Sequence, residues 1–215
     1  SMSGNVKQAN FIDKSGFILQ ELRTDFVYTS TGATLQDLYV KTPGSLLRDY
    51  VHIQYPSLEI ISKDPGQMKV DAKLLNSHLS FRDVLLLAPQ MAGIDPFKRS
   101  PNAVLNINGS VTGKVADLSI PKMEISGLGN TRIAASGRIT GLPDMNKAFF
   151  NISLREFNSG RADLNRLVSP GIIPANIRIP ESFNLSGTFK GGMSNFNTNL
   201  QLRSSFGSAR AKGSM

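Results

Sequence analysis

"LNINGSVTGKV", Leu105 to Val115, alternates apolar and polar residues strictly, with glycines set inside the run. A period of two belongs to a β-strand, in which side chains two apart share a face. Leu105, Ile107, Gly109 and Val111 fall on one face, and Asn106, Asn108, Ser110 and Thr112 on the other. Nearly the same phrase returns as "FNLSGTFKGGM", Phe183 to Met193. Asn106, Gly109, Gly113, Ser126, Gly129 and Arg132 match Asn184, Gly187, Gly191, Ser204, Gly207 and Arg210 at a constant offset of 78. The apolar phase repeats with them, so residues 105–135 and 183–213 read as two copies of one unit.

The same split extends in both directions. Ile133, Ala135, Gly137 and Ile139 oppose Arg132, Ser136 and Arg138; Phe150, Ile152 and Leu154 oppose Asn151, Ser153 and Arg155. Phe196, Leu200 and Leu202 oppose Asn197, Asn199 and Gln201, and upstream Met68, Val70, Ala72 and Leu74 oppose Lys69, Asp71 and Lys73. Strands with one wet and one dry face predict antiparallel pairing. Turn chemistry separates them at Asp64–Gly66, Gly141–Asp144 and Lys190–Gly192. Gly109, Gly137 and Gly187 sit in phase with the apolar side chains, where a missing side chain lets a sheet bend toward its dry face.

Helical signal is short. Phe81 to Gly93 carries a brief helix after Asp83, stopped by Pro89, and Gly160 to Gly171 one or two turns ending before Pro170. Pro43 to Arg48 reads as a turn or helical cap leading into a strand at Tyr50 to Tyr55. The expected fold is mainly β: an elongated, curved antiparallel sheet, a half-pipe or taco-like groove with an apolar concave face and short helices. Three stretches divide it. Residues 1–16 read as a tag remnant and flexible lead-in, 17–104 as an N-terminal β segment with helical plugs, and 105–215 as the repeated segment, cut off at its C-terminus.

Composition narrows the function. A chain of 215 residues, 40% hydrophobic, is long enough to build a core. Its 24 Lys and Arg against 16 Asp and Glu give a net charge of +8, which suits anionic partners. The cations are scattered, however, and the Phe residues fall mainly in the apolar phase, so the aromatic and basic platform of a nucleic-acid binder is missing and none is expected as a partner. The chain has no Cys, which removes disulfides, thiolate metal sites and cysteine nucleophiles together. No apolar run is long enough to span a membrane.

Chemistry-bearing motifs fail on context. His52 and His78 lack further ligands at metal spacing, so no metal site is expected. "GSVTGK", Gly109 to Lys114, is one residue short of a phosphate loop and continues as strand rather than helix. "SGLGN", Ser126 to Asn130, has no helix behind it and reads as a turn. "SIPK", Ser119 to Lys122, has the Ser-x-x-Lys spacing of penicillin-recognising enzymes, but a proline interrupts the helix that should present both groups. Glu21, Asp25, Asp37, Glu124, Asp144 and Glu156 fall in separate elements. Asn-x-Ser at Asn108, Asn151 and Asn184 lies on polar strand faces. No catalytic residue and no cofactor is expected, and the chain reads as a non-enzyme.

The phrases "ATLQDLYVKTPGSLLRDYVHIQYPSL", "DAKLLNSHLSFRDVLLLAP" and "IPESFNLSGTFKGGMSNFNTNLQL" resemble the AsmA-like and TamB translocation and assembly module family, especially its Bacteroidetes forms. The resemblance runs from about Thr34 to Gly207. It implies a periplasmic segment of a long protein anchored in the inner membrane by a helix absent from this sequence, with repeating strands curled into an apolar groove. It further implies phospholipid or another amphiphile as ligand and, through the parent protein, an outer-membrane barrel of the Omp85 type as partner. The function implied is phospholipid transport between the membranes or outer-membrane protein assembly. By phase, the groove lining falls on Leu105, Ile107, Val111, Ile133, Ile139, Phe150, Ile152, Leu154, Phe183, Leu185, Phe189, Leu200 and Leu202. Alternation alone also fits a closed β-sandwich whose dry faces meet. That alternative would be a cell-surface binding module, adhesin-like or carbohydrate-binding.

Overall fold

The computed structural model describes residues 1–93, 95–144, 146–167, 170–171, 177–192 and 194–214. Twelve strands form one sheet: β1 (Met2–Ile12), β2 (Ile18–Thr29), β3 (Gly32–Lys41), β4 (Leu46–Gln54), β5 (Lys69–Ser80), β6 (Val104–Lys114), β7 (Asp117–Gly127), β8 (Arg132–Thr140), β9 (Phe149–Ser159), β10 (Phe183–Gly191), β11 (Phe196–Ser204) and β12 (Gly207–Ser214). Spatial order equals sequence order, and every neighbouring pair is antiparallel. The sheet is curved and unclosed, as the alternation and the in-phase glycines predict. Every described strand belongs to this one sheet, and no second sheet is formed among the described residues.

The lead-in expected over residues 1–16 is instead an edge strand, β1, paired along most of its length with β2. No break in pairing occurs between residues 104 and 105 either, since β6 is hydrogen-bonded to both β5 and β7. Of the turn or helical cap expected at Pro43 to Arg48, the structure has the turn, closed by the Thr42 N–H donating to the Ser45 carbonyl at 3.0 Å, and β4 starts directly at Leu46, earlier than Tyr50.

Bends come from two devices. Register shifts interrupt every strand pair from β1–β2 to β9–β10 and are absent from β10–β11 and β11–β12. Asp37, Asp49 and Asn76, at three of these shifts, take positive φ. An extra residue on one strand bends it and increases its twist. The second device is size. Gly109, Gly137 and Gly187 on alternate strands are each flanked across the ladder by larger apolar residues, Leu74 and Met123, Ile120 and Ile152, and Leu154 and Leu200.

Gly187 shows why no other residue serves. Its φ is +136°, and a Cβ there would lie 2.0 Å from the Asn199 carbonyl oxygen. Gly187→Ala is expected to lower stability by more than about 1 kcal/mol, through strained φ and backbone overlap together. An unchanged urea midpoint for this variant would contradict that account.

Short helices close one end of the sheet, and a pair of buried aspartates holds them there. Helix α1 (Ile60–Lys63) is a single turn at the opposite end, after β4; α2 (Phe81–Leu87) follows β5 and α3 (Arg161–Leu167) follows β9. Asp83, in the first turn of α2, accepts hydrogen bonds from the hydroxyls of Thr42 and Ser45 in the β3–β4 turn, at 2.5 Å each. Ser45 Oγ accepts in turn from the Ser80 N–H at 2.9 Å. Asp163, in the first turn of α3, accepts from the Asn130 N–H at 2.9 Å and from Thr131 Oγ1 at 3.4 Å in the β7–β8 turn. Thr131 Oγ1 also meets Ser159 Oγ at 2.9 Å. Thr42, Ser45, Ser80, Asp83, Thr131, Ser159 and Asp163 are all buried. The same latch is thus built twice, and "SGLGN" is the turn of the second. A Cβ on Gly129 within it would fall 2.0 Å from an Asp163 carboxylate oxygen, so only glycine lets the carboxylate in.

Candidate functional site

Strand register joins the apolar residues into rows that cross the sheet. One row runs Ile107, Ile125, Ile133, Phe157, Leu185, Leu202 and Ala209, from β6 to β12. A parallel row runs Val70, Gly113, Leu118, Ile139, Phe150, Gly191 and Phe196. It continues upstream through Ile53 and Ala33 to Tyr28 on β2. Aromatic contacts knit the downstream end: Phe157 meets Phe183 edge-on at 5.4 Å, and Phe189 stacks on Phe196 at 5.3 Å.

All thirteen lining residues read from the sequence share this face. Leu105, Ile107 and Val111 lie on β6, Ile133 and Ile139 on β8, Phe150, Ile152 and Leu154 on β9, Phe183, Leu185 and Phe189 on β10, and Leu200 and Leu202 on β11. Each is half-buried, whereas Asn106, Thr112, Arg138, Asn151, Lys190, Asn199 and Arg203 on the other face are exposed. A flat single-layer sheet would expose both faces alike. Shielding is more even along the apolar side chains than on the polar face, where Asn108, Ser110, Ser136, Asn184 and Ser186 are half-buried too and Ala134 is buried. No large side chain among the described residues falls below 2% exposure, as the centre of a closed core would require.

The sequence reading missed β7 altogether. Leu118 and Ile120 continue the pattern, but the next groove residues are Met123 and Ile125, three positions on, because the register shifts at Pro121 and Lys122. A bulge adds one residue and flips the phase, and a proline in a strand is the signal that could have located it. Phe157 was missed for the same reason after Leu154. Upstream, Val51 and Ile53 on β4 and Leu35 on β3 also join the groove face.

The opposite face is polar and largely ion-paired. Arg138 donates from Nε and Nη2 to both oxygens of Asp117 at 2.5 Å. Lys73 meets Asp49 at 3.1 Å, Lys122 meets Glu124 at 3.4 Å, and Arg155 also bonds Glu124. The Arg138 hydrogen bonds hold the Asp117 carboxyl below its ordinary value, and Arg155 does the same for Glu124. Glu21 pairs with Arg23, Asp144 with Lys147 and Glu156 with Arg132, while Asp25 accepts from Asn5 and Asp37 sits exposed at a bulge.

The remaining motifs take structural places. Ser119 and Lys122 lie on β7, with no helix to present them together. "GSVTGK" is the second half of β6. His52 shares a hydrogen bond of 2.5 Å with Thr34 on the polar face. Among the described residues no group of three or more His, Asp or Glu is arranged to hold a metal ion. No family model matches this chain, and no curated protein or solved structure matches it.

Proposed function

We propose that this chain is a non-catalytic segment of a periplasmic envelope-biogenesis protein whose concave apolar groove holds lipid acyl chains. The single observation that carries the reading is a row of apolar residues unbroken across seven strands, from Ile107 to Ala209, with no second sheet over it. Apolar surface left uncovered on this scale is costly in water unless something occupies it. The row from Ile107 to Ala209 carries no side-chain hydrogen-bonding group, so it selects for tails and tolerates different headgroups, which stay wet at the rim.

Magnitude fits a conduit. A buried methylene is worth about 0.8 kcal/mol, so a tail of about fourteen methylenes, shielded over roughly half its surface, gains about 6 kcal/mol. That corresponds to a dissociation constant of tens of micromolar per tail, tight enough to hold and weak enough to release. In the parent protein, such segments laid end to end would carry phospholipid between the inner and outer membranes or serve outer-membrane protein assembly, with an Omp85-type barrel as the receiving partner.

Native mass spectrometry of the purified protein, followed by organic extraction and lipid analysis, tests the reading. The expected result is a set of masses above the apo value that match phospholipids recovered in the extract. A clean apo mass, together with no saturable binding of a fluorescent fatty acid, would overturn it.

A further inference from the structure

At the end of the sheet opposite α2 and α3, on the polar face, lies a pocket of about 570 Å³. Tyr55, buried, gives it an apolar wall, and Thr29, Thr34 and His52 line another side. Lys69 and Lys114 complete it. These two lysines are direct register partners across β5 and β6. Side chains so placed start about 5 Å apart, and like charges directly opposite each other are destabilising.

The acids beside the two lysines in the ladder bond to other groups. Asp117, the register partner of Lys114 on its other side, gives both oxygens to Arg138. Asp71, two residues from Lys69, accepts from the Tyr50 hydroxyl at 2.5 Å. Elsewhere this face sets cations beside anions, as in Lys73–Asp49 and Arg132–Glu156. The Lys69 and Lys114 side chains make no ion pair or hydrogen bond among the described residues.

We infer that this pocket binds a phosphate-class oxyanion between Lys69 and Lys114. The anion supplies the direct ion-pair partner that the two lysine side chains lack among the described residues. Two ammonium groups suit a compact oxyanion with several acceptor oxygens, each oxygen taking a charge-assisted hydrogen bond. Thr29, whose hydroxyl donates to the Gly32 carbonyl, and Thr34, whose hydroxyl bonds to His52, form the wall beside it, and an organic group attached to the anion rests on Tyr55. The anion has two sources, a phospholipid headgroup reaching the rim of the sheet or a soluble phosphate. The site lies on the face opposite the groove and stands whether or not the groove holds tails.

Titration calorimetry at low salt, on the whole chain, tests this with two probes that have no acyl tails and so cannot enter the groove. These are inorganic phosphate and glycerophosphoglycerol, the deacylated headgroup of phosphatidylglycerol. Binding of either probe, weakened tenfold or more in the K69Q/K114Q double variant, supports the site. Tighter binding of glycerophosphoglycerol names a lipid headgroup as the source, and tighter binding of phosphate names a soluble one. The double variant removes a like-charge contact, so its urea midpoint should equal or exceed that of the unchanged protein, which separates lost binding from lost folding. Absence of binding by both probes at millimolar concentration, or affinities unchanged within twofold by K69Q/K114Q, would overturn the inference. Leu185→Asp, on the groove face, should leave both affinities unaltered.

Discussion

Leu185→Asp should strip co-purifying lipid from the protein while the sheet stays folded. Leu185 stands mid-row between Phe157 and Leu202, at the point where a tail lying across β9, β10 and β11 must touch it. In an open groove the new carboxylate is hydrated when no ligand is present. The fold then loses only the cross-strand apolar contacts, about 1–2 kcal/mol. A tail that covered the carboxylate would have to strip its water, at a cost of several kcal/mol without compensation. Occupancy should therefore fall at least tenfold. Ile107→Arg, at the opposite end of the same row from Ala209, should act alike. Extraction and lipid analysis would be read beside the far-ultraviolet circular dichroism of each variant. Should either variant unfold, as a buried charge in a closed core would require, the face is not an open groove. If both retain their lipid, the tails lie elsewhere.

The second large effect belongs to the latches. Asp83→Ala removes the acceptor of two buried hydroxyl donors, Thr42 and Ser45. Hydrogen bonds to a charged group contribute about 1.5–3 kcal/mol each, and the stranded donors add a desolvation cost, so a loss of about 3 kcal/mol is expected. Asp83→Asn keeps one acceptor oxygen and should lose about half as much. Asp163→Ala should cost less than Asp83→Ala, because its side-chain contact to Thr131 is longer, at 3.4 Å, and its other donor is a backbone N–H. Urea denaturation gives the size, and hydrogen exchange gives the place. Protection should fall in α2 and the Thr42–Ser45 turn while β10 to β12 keep theirs. A midpoint for Asp83→Ala within about 0.5 kcal/mol of the unchanged protein would show that α2 is held by Phe81 alone, whose ring lies 4.4 Å from Phe97 and is 2% exposed.

These two tests probe different links in the chain from sequence to function. The groove depends on a property repeated along every strand, so one substitution alters binding more than folding. The latch is a local network of few atoms, and one substitution alters folding more than binding.

Much of the fold was written locally. Strict alternation in Leu105–Thr112 and its echo at Phe183 determine strand, face and antiparallel pairing, because side-chain direction in an extended chain depends only on residue parity. The thirteen groove residues could be read for that reason alone. So could the two short helices after β5 and β9, since Pro89 and Pro170 limit them. Parity fails wherever the chain adds a residue, and Met123, Ile125 and Phe157 fall beyond such places. Only the tertiary structure decided that the twelve described strands join one unclosed, curved sheet, because alternation says which side avoids water and nothing about which strands become neighbours. It alone brought Asp83 to Thr42, 41 residues away, and set Lys69 beside Lys114. Contacts of that kind depend on which strands become neighbours and in what register, and no periodicity within a single strand carries that information.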